Sequence, residues 1–259
     1  MASDHSVTIN GSEWYDHAAE RGGNAISFVQ QYYNMSFPEA MQALLGGDFR
    51  PADVPKREPK SFECPKANAN MRRVFAYLTK TRGIDSRIVS AFAHAGILNE
   101  DAKYHNAVFV GKDESGIARH AHVRSTNSQG KTFRINIEGS DQRYSFHHIG
   151  SNGGLFVFEA PIDLLSHISL YPQGWQENSY VACCGTSIQP VMKTLEQMPQ
   201  AETVLLCMDN DGAGQKANRR MAEQIKAEGL TVMTQIPQRK DWNDELLANH
   251  QHAIQLAGL

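Results

Sequence analysis

The chain has 259 residues, 41% of them hydrophobic, with a formal net charge of −3. That is enough for one large core or two smaller ones, and no 18-residue apolar stretch is available to span a membrane. The cysteines Cys64, Cys183, Cys184 and Cys207 form no C-x-x-C pair, which excludes a disulfide frame or a cysteine zinc site and suits a reduced, cytoplasmic protein without an export signal.

Residues 1–50 read as a short, mostly helical module. Ser36-Phe37-Pro38-Glu39 has the form of a capping box, apolar positions follow at Phe37, Met41, Leu44 and Leu45, and Gly46-Gly47 ends the element. Residues 51–66 carry Pro51, Pro55, Pro59 and Pro65 among charges and read as a linker. Residues 67–150 read as a small α+β subdomain. It has two short helices over 67–98, the second capped by Asp85, then antiparallel strands at Ala107–Val110, Ile117–Arg124 and Lys131–Ile137. From 151 to 259 the pattern is a third one. Leu155–Phe158, Tyr180–Cys184, Val204–Met208 and Thr231–Ile236 are apolar runs without alternation, separated by helical segments near 161–171, 188–198 and 213–228. That alternation predicts an α/β layer with a parallel sheet covered by helices on both faces.

Charge follows these divisions. Residues 51–150 hold 16 Lys/Arg against 10 Asp/Glu, a net +6, while the first fifty residues come to −4 and residues 151–259 to −5. A basic middle beside an acidic C-terminal part suits an enzyme that grips phosphates with one and a cation with the other. Arg119, Arg124, Lys131, Arg134 and Arg143 alternate with apolar residues, which places several basic groups on one strand face as a nucleic-acid track. His120 and His122 share a face, but no third ligand for a metal is evident.

Acidic residues stand where the parallel strands end. Glu159 directly follows Leu155–Phe158, Asp209 directly follows Val204–Met208, and Asp211 comes two residues later, before a helix. Functional groups gather at such ends. Carboxylates there supply the hard oxygen ligands that magnesium takes, and the ion can then neutralise phosphate charge. The plainer reading is that Asp209 and Asp211 only cap the next helix.

The motifs resemble the Toprim family of primases, topoisomerases and nucleases. Phe158-Glu159-Ala160-Pro161-Ile162-Asp163 is similar to its first motif, with Ala160 where primases usually have glycine. Met208-Asp209-Asn210-Asp211-Gly212-Ala213-Gly214 is similar to its Asp-x-Asp motif, and Cys184-Gly185-Thr186-Ser187 resembles the turn between them. Arg239-Lys240-Asp241-Trp242-Asn243-Asp244 resembles the motif after the last strand of bacterial-type (DnaG-like) primases. The resemblance implies catalysis by Glu159, Asp209 and Asp211, a magnesium or manganese site that also draws on Asp163 and Asp241, and phosphate binding by Lys240 with the upstream arginines. It further implies single-stranded DNA or RNA and nucleotide triphosphates as partners, with a helicase or relaxase, in plasmid or mobile-element replication.

Trp14 to Val29 resembles the second half of a primase zinc ribbon. Its cysteines would fall at Asp16 and Ala19 and are missing, its first half would lie before residue 1, and zinc is not expected. Three functions follow from this reading: primase-like nucleotidyl transfer, a nuclease using the same carboxylates, or a catalytically weak module that binds nucleic acid or a partner. No G-x-x-x-x-G-K-[ST] loop or G-x-S-x-G elbow is present, which excludes a P-loop ATPase and a serine hydrolase of that type.

Overall fold

A computed structural model describes residues 7–16, 21–45, 61–127 and 132–256. The chain divides into two units, Met1–Glu58 and Pro59–Leu259. In the first, β1 (Val7–Asn10), β2 (Glu13–Asp16) and β3 (Arg21–Asn24) form an antiparallel sheet. Alternation along β2 buries Trp14 and Asp16 and leaves Glu13 and Tyr15 outside. Helix α1 (Ala25–Tyr32) covers the buried face. Trp14 meets Phe28 and Tyr32 edge-on at centroid distances of 5.6 and 5.3 Å, and Asn24 caps the helix by accepting from Ser27 N. Helix α2 (Phe37–Leu45) begins with Ser36 N donating to Glu39 Oε2 at 2.7 Å, the return bond of a capping box.

The expected mostly helical module is thus corrected to a three-stranded sheet followed by two helices. The strands escaped notice because each has four residues and β3 is Arg-Gly-Gly-Asn, with no apolar alternation. Pairing and the helix above hold it, not propensity. Asp16, at one missing-cysteine position, is buried and accepts from the Tyr32 hydroxyl at 2.8 Å. Ala19, the other position, lies outside the described residues, as does Lys131.

The second unit opens with α3 (Arg72–Ala76), continued by a π-helical turn over Tyr77–Thr81, then α4 (Ser86–His94) capped by Asp85. Strands β4 (Leu98–Glu100), β5 (Ala107–Lys112), β6 (Ala118–Arg124) and β7 (Arg134–Asn136) form an antiparallel sheet in that order. Its register sets Arg124 opposite Arg134 and His122 opposite Asn136.

Then come β8 (His147–His148), β9 (Gly154–Phe158), α5 (Pro161–Leu170), β10 (Ser179–Ala182), α6 (Gln189–Glu196), β11 (Thr203–Leu206), α7 (Gly212–Ala227), β12 (Thr231–Thr234) and α8 (Trp242–Leu256). The second sheet has the order β12-β11-β9-β10-β8, parallel except for the edge strand β8. Both faces are covered, which is why its strands read as continuous apolar runs. Phe158, Tyr180 and Cys207 face α5 and α8 through Leu165 and Trp242. Val157, Val181 and Leu206 face α6 and α7 through Val191, Met221 and Ile225. The first core runs on without a break into Phe92, Phe109 and Phe146, so the antiparallel sheet is fastened to the parallel one by shared side chains.

Candidate active site

Three neighbouring strands end at one place. Beyond the last paired residues of β9, Cys183 N donates to Phe158 O and Cys207 N to Val157 O, both at 2.8 Å. Gly185 N then donates to Glu159 O at 3.1 Å, which ties the Glu159 backbone to the turn after β10. That turn is sharp enough to put Cys184 in the left-handed region, φ 51°. Asp209 is anchored from the other side. Asn210 N donates to Lys240 O at 2.8 Å, and Trp242 Nε1 donates to Cys207 O at 2.8 Å, so the loop before α8 is pinned to the end of β11. Gly214 is required here: a Cβ would collide with the Asp209 carbonyl oxygen.

The acidic residues are held in different ways. Asp211 Oδ1 accepts from Ala213 N at 2.9 Å and Gly214 N at 2.8 Å, capping α7. Asp241 Oδ1 accepts from Asp244 N at 2.8 Å and caps α8. Asp209 caps nothing: its Oδ1, like Oε2 of Glu159, is buried without a hydrogen-bond partner. Burial first, then the charges of Glu159, Asp241 and Asp211, push the Asp209 carboxyl up to about 7. Burial also raises Glu159, with Arg134 and Lys240 opposing and Asp211 adding to the rise. Asp163, enclosed at the back of the group, is raised well above the usual carboxylate range by burial and by Asp209 and Asp241.

Orphaned buried carboxylate oxygens surrounded by like charge cost stability until a cation meets them. The donor set is all oxygen, which fits a hard divalent ion such as magnesium or manganese. Among the described residues, no three His, Cys, Asp or Glu side chains converge as a finished cage. The fit is therefore to an ion that keeps waters and takes one or two carboxylates.

A small cleft of about 90 Å³ lies between Asp163 and Asp241 and the antiparallel sheet. Arg82, Arg124, Arg134, His122, Asp163, Asp241 and Asn243 line it, and a contiguous pocket brings in Glu159, Asn136 and the Cys184-Gly185 turn. Arg134 Nη2 lies 3.6 Å from Glu159 Oε1. Arg124 and Arg82 converge on the Tyr77 hydroxyl through Nε at 3.4 and 2.8 Å. The basic set thus divides. Arg124 and Arg134 reach the cleft, whereas Arg119 pairs with Asp113 at 2.7 Å and Arg143 with Asp141 at 2.6 Å. Alternation separates the first pair, since Arg119 and Arg124 are five residues apart on β6 and point to opposite faces; Arg143 lies in a 3-10 turn beyond the sheet. The Lys240 side chain is exposed, near enough to favour ionised Glu159.

Sequence reasoning missed Arg82 and Tyr77, and quoted Asn243 in a motif without giving it a role. Within the second unit Asn243 ties the end of the π-helical turn to α5 by donating to Arg82 O at 2.8 Å and Ser166 Oγ at 3.0 Å, and it accepts from Arg82 Nη1 at 3.1 Å. The available signal for Arg82 was its place at a helix end before Gly83, whose φ of 69° turns the chain.

Comparisons agree with this architecture. Residues 156–246 match a family model described as Toprim-like, and residues 76–152 match one described as a protein of unknown function (DUF3991). An uncharacterized Bacillus anthracis protein, pXO2-78, is 28% identical over 261 residues, covering 90% of this chain and 76% of that protein. The primase fragment of the bacteriophage T7 primase-helicase protein has the same fold at TM-score 0.52 and 16% identity, covering 96% of this chain and 92% of the fragment. Among the described residues, no helix is long and apolar enough to cross a membrane.

Proposed function

We propose that this chain, which carries a Toprim-like domain at residues 156–246 on the fold of a primase fragment, is a metal-dependent nucleotidyltransferase that builds short products on single-stranded nucleic acid. The observation that carries the reading is the pair of buried, unpartnered oxygens on Glu159 and Asp209, with Arg134 beside Glu159 in one pocket and Arg82 and Arg124 lining the adjoining cleft. Glu159 and Asp209, with Asp211, Asp241 and Asp163 behind them, would hold a magnesium or manganese ion, which would supply neutralisation of phosphate charge.

The chain's own groups do the rest. The three arginines bind triphosphate oxygens with planar, charge-assisted donors, and Lys240 adds a point charge at the rim. Arg134, already 3.6 Å from Glu159, holds phosphate beside the acids without competing for the ion. The caps on Asp211 and Asp241 fix those carboxylates in one rotamer, so little reorganisation accompanies substrate binding. Work on a mobile element, beside a helicase or relaxase, is the setting the sequence motifs imply.

Labelled nucleotide incorporation on single-stranded DNA, with magnesium or manganese, tests this. Wild type gives oligonucleotide products and Asp209→Ala gives none. Shortened template in place of products would overturn synthesis in favour of hydrolysis. Neither product nor shortening, with template binding retained in both proteins, would leave a binding module.

A further inference from the structure

His122 lies in the cleft wall between the arginines and the turn that holds Glu159, and it lines both pockets. Its ring is oriented by a short relay. Asn136 Nδ2 donates to Cys184 O at 3.3 Å, which turns Asn136 Oδ1 toward His122 Nδ1 at 2.7 Å. An amide oxygen only accepts, so Nδ1 carries the hydrogen and Nε2 keeps its lone pair. Burial holds the ring below the usual histidine range, Arg134 and Arg124 add to that, and the bond to Asn136 opposes it. The two nitrogens of neighbouring His120 are sealed and unpartnered, whereas His122 Nε2 is not sealed and has no partner among the described residues. It opens on the cleft.

A neutral acceptor flanked by two guanidiniums selects its ligand by chemistry. A phosphate oxygen has no hydrogen to give it, so the phosphates go to the arginines. What Nε2 needs is a hydroxyl or an N–H. His122 and Arg124 are two apart on β6, about 6.8 Å between Cα atoms. A group meeting His122 is thus a neighbour of the phosphates, and in a nucleotide that neighbour is the sugar. Resting on the nucleotidyl-transfer reading above, we infer that His122 Nε2 accepts a hydrogen bond from a ribose hydroxyl of the bound nucleoside triphosphate, making this residue the site's sugar discriminator. Asn136 is its positioning residue, and the Cys184 carbonyl couples both to the Glu159 turn.

The test is equilibrium binding of the full chain, with magnesium, to ATP, 2′-deoxy-ATP and 3′-deoxy-ATP, without turnover. Wild type holds ATP about tenfold more tightly than at least one deoxy form, the worth of one good hydrogen bond. His122→Phe binds all three alike, at the weaker level. His122→Gln, whose side-chain oxygen accepts, recovers part of the preference and stands in if the phenylalanine variant fails to fold. Asn136→Leu, which frees the ring, reduces the preference without removing triphosphate binding. Arg134→Ala weakens all three and keeps their ratio. Equal binding of the three forms by wild type overturns the inference and spares the parent reading. So does a sugar preference that survives His122→Phe, or a preference that follows the base when GTP and CTP replace ATP. No triphosphate binding at all overturns both.

Discussion

Asp209 and Asp211 lie two residues apart and do opposite things: Asp211 Oδ1 is saturated by two helix amides, while Asp209 Oδ1 is buried with no partner. One residue is committed to structure as well as charge. The other is left with an oxygen that a cation, a proton or an incoming donor would satisfy.

The first prediction concerns that proton. The folded-state pKa of Asp209 is raised to about 7 against roughly 3.9 for the unfolded chain. The folded protein therefore binds the extra proton between those values, and stability in chelator falls as pH rises through the window of about 4 to 7. Thermal melts in EDTA at pH 5, 6 and 7 show that decline. Magnesium reverses it at pH 7, raising Tm by about 3 °C per kcal/mol of binding. Asp209→Asn flattens the pH dependence and removes the response to magnesium. A melt insensitive to both pH and magnesium would refute the account.

Asp211 separates capping from charge. Asp211→Asn keeps an oxygen for the Ala213 and Gly214 amides and should melt near wild type, while Asp211→Ala loses about 1 kcal/mol. Both variants should lose nucleotide incorporation by more than the ~10–100-fold typical of a supporting ligand partner. An active Asp211→Asn would show that only the cap matters.

The divided arginines predict divided salt effects. Arg124→Ala and Arg134→Ala each lower the slope of log affinity for single-stranded DNA against log salt by about 1. Arg119→Ala, which breaks the pair with Asp113, leaves the slope within error. The check is fluorescence anisotropy across a salt series, and a uniform loss over all three would restore a single continuous track.

Glu100, which lines neither pocket, is a structural test. It is buried and accepts from Arg73 N and Val74 N at 3.0 Å each, from Asn68 Nδ2 at 2.9 Å, and meets His105 Nδ1 at 2.7 Å. Burial would raise its carboxyl, but these bonds outweigh burial and hold it below the usual range. The stability it confers is present above the unfolded pKa and is lost as pH falls through the lower folded value. Glu100→Ala should cost about 2–3 kcal/mol in urea melts at pH 7, with no change in magnesium response.

Much of the parallel sheet was legible because both its faces are buried, so Leu155–Phe158 and Val204–Met208 announce themselves as apolar runs that stop at an acid. Glu159 and Asp209 were readable for the same reason. What could not be read depends on distant pairing. Arg82 reaches the cleft only because Asn243, 161 residues away, grips its backbone and its guanidinium. His122 gains a defined tautomer only through Asn136 and the Cys184 carbonyl. The first sheet was missed because Arg21–Asn24 has no pattern of its own and becomes a strand only beside β2.

The adjacency of β9 and β11 has a kinetic side. Glu159 and Asp209 follow hydrogen-bonded neighbouring strands, yet β10 with its two crossover helices lies between them in the chain. Closing that fifty-residue loop is an entropic cost met late, after local helices have formed. A chain emerging from synthesis carries Glu159 long before Asp209 can pair beside it. An ion held by both acids would therefore neither template the early steps nor rescue a partly built sheet, and would stabilise only the finished one.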